Sequence, residues 1–163
     1  MKDGVKYARL LGVKIGENCR VFDCKFGSEP FLIEVGNNVT ITGVSFLTHD
    51  GSTWLFKDDK GRRYLYRKIK IGNNVFIGVN STLLPGVNIE DDVIVAAGSV
   101  VTKSVPKGNI VAGNPAKIIK SFYEYKNMVL SNYYADSEIN FLKSYKNRIL
   151  DIVDQGFKDY CSK

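Results

Sequence analysis

The sequence predicts a mainly β protein, a parallel β-helix built from six-residue repeats. Between positions 71 and 106 every sixth residue is aliphatic, namely Ile71, Ile77, Leu83, Ile89, Val95 and Val101. Four positions after each stands a small or β-branched residue. The position before that one is usually Asn, Gly or Asp, which tolerate positive φ. A fixed hexapeptide period with such corners is typical of parallel β-helices, whose stacked coils bury an aliphatic column.

Other secondary structures do not fit this period. Six residues advance an α-helix by about 600°, so the aliphatic residues would not form a stripe on one face. A hairpin meander would need two-residue turns such as Asn-Gly between longer alternating strands, and these are missing. The period leaves the handedness of the β-helix open.

At the N-terminus, residues 1–12 are predicted to form a short helix. Its apolar side would be made of Tyr7, Leu10 and Leu11, and Gly12 would end it.

The β-helix is predicted over residues 13–120, with an imperfect first half. The repeat begins at Ile15, slips between Phe26 and Phe31, and resumes at Val35 with a later block that starts at Leu47.

Residues 50–68 interrupt the repeat and are predicted to form an extended loop. They include the only tryptophan and a basic, aromatic cluster: Trp54, Arg62, Arg63, Tyr64, Tyr66 and Arg67. A long loop in a compact array is usually functional or disordered, and its aromatic content argues against disorder. We expect it to border a site, although it could instead, or in addition, pack on a neighbouring subunit.

Residues 121–163 are predicted to form a helical appendage. Ile139, Leu142, Ile149 and Val153 fit helical spacing, with Asp136 or Ser137 as the N-cap. We expect this region to pack on the β-helix or on a neighbour; holding substrate is the alternative.

Two segments resemble the hexapeptide-repeat acyltransferases, and especially their sugar O-acetyltransferases. One is Ala-Ala-Gly-Ser-Val-Val-Thr-Lys-Ser-Val-Pro at 96–106, followed by Gly-Asn-Pro-Ala-Lys at 113–117. The other is Leu-Thr-His-Asp-Gly-Ser at 47–52, which is similar to a segment of polysaccharide O-acetyltransferases. The resemblance implies a left-handed β-helix with three blocks per coil, acetyl-CoA as cosubstrate, and a homotrimer with sites between subunits.

His49, the only histidine, is the predicted catalytic base. Acetyl transfer to a hydroxyl needs a base near neutral pH, and imidazole suits this task; in similar family members a single histidine beside such a loop removes the acceptor proton. A surface histidine is the alternative. Asp50 could orient the imidazole or simply begin a turn, and Asp58, Asp59 or another subunit's carboxylate could serve instead.

The resemblance also carries coenzyme-binding roles to particular positions. Ala97 matches a small residue beside the pantetheine arm, and with three blocks per coil Val79 lies on the same corner. Thr102 and Lys103 match the Thr-Lys near the nucleotide phosphates, and Lys117 is a further candidate. The alternatives are a plain coil corner and solvated lysines. The same stacking aligns His49 with Pro85 and Lys103.

Composition limits partners and compartment. The 163 residues carry a formal net charge of +6, which favours anionic partners such as coenzyme A or an acidic saccharide. No nucleic-acid motif, membrane span or signal peptide is found, so we expect a cytoplasmic protein that binds no nucleic acid. Cys19, Cys24 and Cys161 form no metal-ligand pattern and are interpreted as ordinary thiols; no metal is expected.

The predicted function is an acetyl-CoA-dependent O-acetyltransferase acting on a sugar hydroxyl of a bacterial surface polysaccharide or its precursor, with Trp54 and Arg62 as substrate-binding residues. Xenobiotic acetyltransferases and amino-sugar N-acetyltransferases are the nearest enzyme alternatives, and a non-catalytic β-helix scaffold is the alternative from another class. A zinc-dependent γ-class carbonic anhydrase is disfavoured by the single histidine. A serine acetyltransferase is disfavoured by the short segment before the repeat.

Overall fold

The computed structural model describes residues 4–160. The first three residues of the predicted N-terminal helix, and Cys161, lie outside the described residues. The chain divides into one compact unit that ends at Tyr125 and a second that begins at Lys126.

The first unit is a coil of short strands that form three parallel layers. The strands are β1 Lys14–Ile15, β2 Arg20–Phe22, β3 Ile33–Val35, β4 Val39–Thr42, β5 Ser45–Phe46, β6 Lys57–Asp58, β7 Gly61–Arg62, β8 Ile69–Ile71, β9 Val75–Ile77, β10 Thr82–Leu83, β11 Asn88–Ile89, β12 Val93–Val95, β13 Val100–Val101, β14 Asn109–Gly113 and β15 Ala116–Ser121. The layers have the strand orders β1-β3-β8-β11, β2-β4-β9-β12-β14 and β5-β10-β13, and β15 adds to the second layer antiparallel to β14.

The register shows that three hexapeptide blocks make one turn of the regular part of the coil. Ile77 pairs with Val95, and Leu83 pairs with Val101, so paired residues are 18 positions apart. The first turn is longer, because Val21 pairs with Ile41 at a spacing of 20 residues. Its extra length includes a 3₁₀ turn at Pro30–Leu32, in the segment where the sequence pattern slips.

The predicted corners are confirmed at the backbone level. All five corner residues of the repeat have positive φ, at 55° for Asn74, 61° for Asn80, 88° for Gly86, 56° for Asp92 and 71° for Gly98. The residue that follows each is buried: Val75, Ser81, Val87, Val93 and Ser99. The left-handed residue therefore turns the chain so that the next side chain points into the core.

One predicted block starts one residue too late in the sequence. Phe46, and not Leu47, pairs with Leu83 and points into the core, with 1% of its surface exposed against 44% for Leu47. The ring of Phe46 stacks on that of Phe26 at 5.3 Å between centroids, and the two rings fill the core at this level. His49 is consequently shifted by one position from the alignment with Pro85 that the sequence predicts.

The N-terminal helix α1 spans Gly4–Leu11, and Gly12 follows it with a φ of 102°. Its buried side differs from the predicted one. Ala8 is fully buried with Val5 packed beside it, whereas Tyr7 and Leu10 are exposed. A small residue is favoured here because the helix lies close to the first strands of the coil.

The second unit is helical only in part. Helix α2 spans Phe122–Asn132 and crosses the boundary, a 3₁₀ turn follows at Asp136–Glu138, and helix α3 spans Tyr145–Ile152. The N-cap of α3 is Ser144, whose hydroxyl accepts a hydrogen bond from the backbone N–H of Asn147 at 3.4 Å. The predicted helix start near Asp136 is therefore wrong. The apolar residues with helical spacing begin before α3 does, just after the 3₁₀ turn. No described helix has the length and hydropathy needed to cross a membrane.

Candidate active site

The loop that interrupts the repeat is tied at its base beside His49. The backbone N–H of Asp50 donates to the carbonyl of Leu65 at 3.1 Å, and that of Arg67 donates to the carbonyl of Thr48 at 2.8 Å. These bonds pair the two ends of the loop antiparallel and place Tyr66 opposite His49. Between them the chain forms a 3₁₀ turn at Gly51–Leu55 and the β6–β7 hairpin.

His49 is paired with a carboxylate from the preceding turn of the coil. Its Nδ1 lies 2.8 Å from Oε2 of Glu29, and the Thr48 hydroxyl donates to the same oxygen at 2.7 Å. The Glu29 side chain is largely buried and only 16% exposed, whereas that of His49 is 41% exposed. The pair therefore joins an anchored carboxylate to an imidazole that solvent, and thus a substrate, can reach.

The electrostatics of Glu29 define which imidazole nitrogen is free. The hydrogen bond from the Thr48 hydroxyl, and then the contact with His49, lower the pKa of Glu29 below its ordinary value despite its burial. An ionised carboxylate only accepts hydrogen bonds, so the bond to Glu29 requires a proton on Nδ1 of His49. In neutral imidazole this leaves the lone pair on Nε2, which is the nitrogen available to take a proton from a substrate.

Asp50 makes local contacts instead. Its carboxylate accepts from the backbone N–H of Ser52 at 2.9 Å and from the Ser52 hydroxyl at 2.6 Å, as the N-cap of the following 3₁₀ turn. These bonds, with the hydroxyl first, lower the pKa of Asp50. The contact expected of an orienting carboxylate is therefore made by Glu29. The carboxylate of Asp58, another candidate for that role, pairs with Arg63.

The loop brings Trp54 and Arg62 together and links them to the histidine. The Arg62 guanidinium lies 5.0 Å from the centroid of the Trp54 ring and 4.7 Å from that of Tyr64. Tyr64 stacks on Tyr66 at 6.3 Å, and Tyr66 lies 5.9 Å from the imidazole of His49. Both predicted substrate-binding residues therefore belong to one row of rings and a guanidinium group that ends at His49.

Val79 and Ala97 lie on adjacent turns at a corner of the coil that we call the open corner, made of Gly78, Val79 and Ala97. The backbone N–H of Gly98 donates to the Val79 carbonyl at 2.8 Å. A Cβ on Gly78 would lie 2.5 Å from the backbone nitrogen of Ala97, so only glycine fits there. Val79 and Ala97 are exposed, and a groove of about 320 Å³ borders Val79.

The other predicted coenzyme residues are exposed and lie further along the coil. Thr102 and Lys103 directly follow β13. Lys117 lies on β15 opposite Ala112, close to the turn that joins β14 to β15. The backbone N–H of Gly113, at that turn, donates to the Ser99 hydroxyl at 3.2 Å. This bond ties the turn to the same stretch of coil that carries Thr102 and Lys103.

Sequence reasoning missed Glu29, although a signal for it exists. The first turn of the coil has a period of 20 residues, as shown by Val21 opposite Ile41 and Lys25 opposite Ser45. Subtracting 20 from the position of His49 gives Glu29. The 18-residue period of the regular repeat points to Phe31 instead, whose side chain is exposed.

Cys19 and Cys24 are free thiols, both half-buried. Burial raises the pKa of Cys24. Among residues 4–160, no three His, Cys, Asp or Glu side chains gather into a group that could hold a metal ion.

The fold and the site together define a class: enzymes built on a hexapeptide coil, with an accessible histidine beside a long loop. The family model for the hexapeptide repeat of succinyl-transferase matches residues 68–103. The chain is 50% identical to protein CapG of Staphylococcus aureus over 82% of this chain and 80% of that protein. It is 30% identical to galactoside O-acetyltransferase of Escherichia coli over 68% of this chain and 55% of that enzyme.

A solved galactoside acetyltransferase in complex with coenzyme A superposes with a TM-score of 0.55 at 26% identity, over 83% of this chain and 76% of that one. The chain belongs to the hexapeptide-repeat acyltransferase family, and its enzyme class is acyltransferase.

Proposed function

We propose that this protein is an acetyl-CoA-dependent O-acetyltransferase that modifies a sugar hydroxyl of a bacterial surface polysaccharide or its precursor, with His49 as general base. The observation that carries the proposal is the exposed imidazole of His49 held through Nδ1 by the buried Glu29 carboxylate. The similarity to galactoside O-acetyltransferase supports a hydroxyl acceptor.

In this mechanism the chain supplies a base and its orientation. His49 takes the proton of the acceptor hydroxyl on Nε2 while Glu29 holds Nδ1–H and stabilises the imidazolium that forms. The acceptor oxygen forms a bond to the acetyl carbon, the carbon–sulfur bond breaks, and the proton on His49 passes to the departing sulfur. Acetyl-CoA supplies the acetyl group as a thioester, which is already activated towards an oxygen nucleophile.

The open corner fits an extended coenzyme arm. Ala97 has no side chain beyond Cβ and is exposed, and Gly78 lets the backbones of adjacent turns approach closely. An extended ligand needs a small side chain for such close approach. Lys103 and Lys117 are exposed cations that would pair with the nucleotide phosphates, with Thr102 beside them.

We further propose that the coil is left-handed and that three copies of the chain assemble, with each site completed between two copies. Family resemblance supports both statements, and closed rings are the usual outcome of such pairing. The protein would work in the cytoplasm, where acetyl-CoA is made. Sedimentation of the purified chain tests the trimer.

The test of the function is the release of free coenzyme A from acetyl-CoA over a panel of sugars, amino sugars and antibiotics, with wild type and His49→Ala side by side. We expect turnover that depends on a sugar hydroxyl and that falls by about a hundredfold or more in His49→Ala. Equal turnover by the two proteins would remove His49 from the mechanism. Turnover only with amines, or only with antibiotics, would show that the acceptor is not a sugar hydroxyl.

A further inference from the structure

The side chains of the loop form a continuous surface that leads to His49. We call Trp54, Arg62, Tyr64 and Tyr66 the acceptor platform. Its members follow one another at 5.0, 4.7 and 6.3 Å, and Tyr66 then lies 5.9 Å from the imidazole. Nothing in the hexapeptide repeat requires this row, because the loop lies outside the repeat.

The aromatic members of the platform are exposed although they are large and apolar. Trp54 is 70% exposed, Tyr64 63% and Tyr66 52%. Aromatic rings gain most from burial, so a row of them held open to solvent marks a binding surface better than a packing one. Ring faces of this kind suit the apolar faces of sugar rings.

Arg62 stands in the middle of the platform with an unused hydrogen-bonding edge. Its guanidinium carbon lies over two rings, those of Trp54 and Tyr64. Its Nε is buried and has no hydrogen-bond partner among residues 4–160. The neighbouring Arg63 differs, because it is paired with Asp58. Because the buried Nε is out of a ligand's reach, the edge of Arg62 that can meet a ligand's acceptors is the one formed by its terminal nitrogens Nη1 and Nη2.

The chemistry of that edge selects an anion. A guanidinium presents parallel N–H donors that match the two oxygens of a carboxylate. The surrounding charge points the same way, since the 50–68 loop carries six Lys or Arg residues against three Asp residues.

We propose that the acceptor is an acidic saccharide, whose carboxylate binds the edge of Arg62 while its rings lie on Tyr64 and Tyr66 and present a hydroxyl to His49. This inference rests on the proposed function and adds the class of sugar. Trp54 positions Arg62 through its ring, whose centroid lies 5.0 Å from the guanidinium carbon. Arg62 is then the residue that distinguishes an acidic sugar from a neutral one.

Binding is tested without catalysis through the fluorescence of Trp54, the only tryptophan. The probes are oligosaccharides of glucuronic, galacturonic and mannuronic acid, each compared with the same oligosaccharide after methyl esterification of its carboxyls. We expect at least one acid to bind about tenfold or more tightly than its ester. Arg62→Gln should abolish that difference, whereas Arg63→Gln, which removes a neighbouring charge of the same sign, should preserve it. Arg62→Lys keeps charge without the planar edge and should retain only part of the difference.

The same variants in the coenzyme A release assay separate the two levels of the proposal. We expect Arg62→Gln to lower kcat/KM for the preferred acid by about tenfold and to leave the KM for acetyl-CoA unchanged. Acid-selective binding without turnover would uphold the platform and count against the proposed function. Turnover without any preference for acid over ester, or an Arg62→Gln effect confined to the KM for acetyl-CoA, would overturn the platform and assign Arg62 to the coenzyme phosphates.

Discussion

Two corners of the same coil are built in opposite ways. The ladder corner consists of Asn18, Asn38, Asn74 and Asp92, one residue from each successive turn. Each side-chain amide donates to the next side chain, at 3.0, 3.0 and 2.6 Å. At the open corner, the bond between adjacent turns is a backbone one, from Gly98 to Val79.

The difference shows how one repeat serves both stability and function. Side-chain amides at the ladder corner satisfy one another, and the Asp92 carboxylate accepts the last donor and also the Tyr123 hydroxyl at 2.9 Å. Such a corner has little hydrogen-bonding capacity left for a ligand. Among residues 4–160 no side chain of Gly78, Val79 or Ala97 bonds the next turn, which leaves the outer surface of the open corner free for a partner.

The largest expected effect comes from closing the open corner. In Ala97→Phe a ring would stand on the exposed surface assigned to the coenzyme arm. We expect the KM for acetyl-CoA to rise by about a hundredfold, as for other misplacements of a bound reactant. Because Ala97 is exposed, the free energy of unfolding should change by only about 0.5 kcal/mol. Steady-state kinetics and urea unfolding measure the two effects.

Ala97→Ser is the control for this experiment, since it keeps the side chain small and should leave the KM within about twofold. A normal KM in Ala97→Phe would mean that the coenzyme binds elsewhere, and the open corner would then be an ordinary turn.

The converse experiment breaks the ladder corner. Asn74→Gly and Asn80→Gly both replace a residue of positive φ by one that adopts it freely, but only Asn74 lies within the ladder. Losing two hydrogen bonds should lower the free energy of unfolding by about 1–3 kcal/mol in Asn74→Gly. Asn80→Gly should cost much less, and neither should alter the KM for acetyl-CoA. Equal losses in the two variants, measured by urea unfolding, would show that the ladder adds no net stability.

The regular part of the fold could be predicted from the sequence because each block repeats the same local solution. The aliphatic column, the small buried residue and the left-handed corner recur every six residues, so each block supports the interpretation of the next. Errors fall where this support ends. Phe46 takes the place predicted for Leu47 because a stack of two phenyl rings fills the core there. No neighbouring block has the same spacing, so the sequence pattern does not reveal this change of register.

The candidate site could be predicted only in part, for the same reason. His49 was marked by the break in the repeat, and Trp54 and Arg62 by their place in the loop. Glu29 lies 20 residues before His49, in a turn whose period of 20 differs from the 18 of the regular repeat. Contacts between turns depend on register, so a change of two residues in the period conceals which residue lies opposite His49.

The pair of Glu29 and His49 is a further contact between turns, with the same spacing of 20 residues as Asn18 and Asn38. Glu29→Gln should lower kcat by about tenfold or more, because the amide can donate to Nδ1 and so favour the wrong tautomer. The single histidine makes its ¹⁵N shifts unambiguous, and they should report Nδ1–H in wild type and a mixture in the variant. An unchanged tautomer with reduced kcat would assign Glu29 a structural role only.

The pair of Glu29 and His49 also predicts that the free energy of unfolding depends on pH. The pKa of Glu29 is lowered in the folded state, so its contribution to stability is present above the ordinary pKa of glutamate and is lost as the pH falls through the lowered value. Wild type should therefore exceed Glu29→Gln in stability near neutral pH, and the gap should close in acid. Urea unfolding of both proteins at several pH values measures it; a gap that widens in acid would contradict the assignment.

The smallest expected effect concerns the nucleotide end of the coenzyme, beyond the open corner. Lys103 is an exposed cation, and exposed ion pairs contribute only about 0.2–1 kcal/mol, so Lys103→Gln should raise the KM for acetyl-CoA by about threefold. The effect should shrink as salt is added, because screening weakens exposed pairs. Acetyl-pantetheine, which carries the thioester without the nucleotide phosphates, is the matched donor and should be used equally by both proteins. If Lys103→Gln impaired both donors alike, the lysine would act on the arm or on the fold, and the open corner would extend further along the coil than proposed.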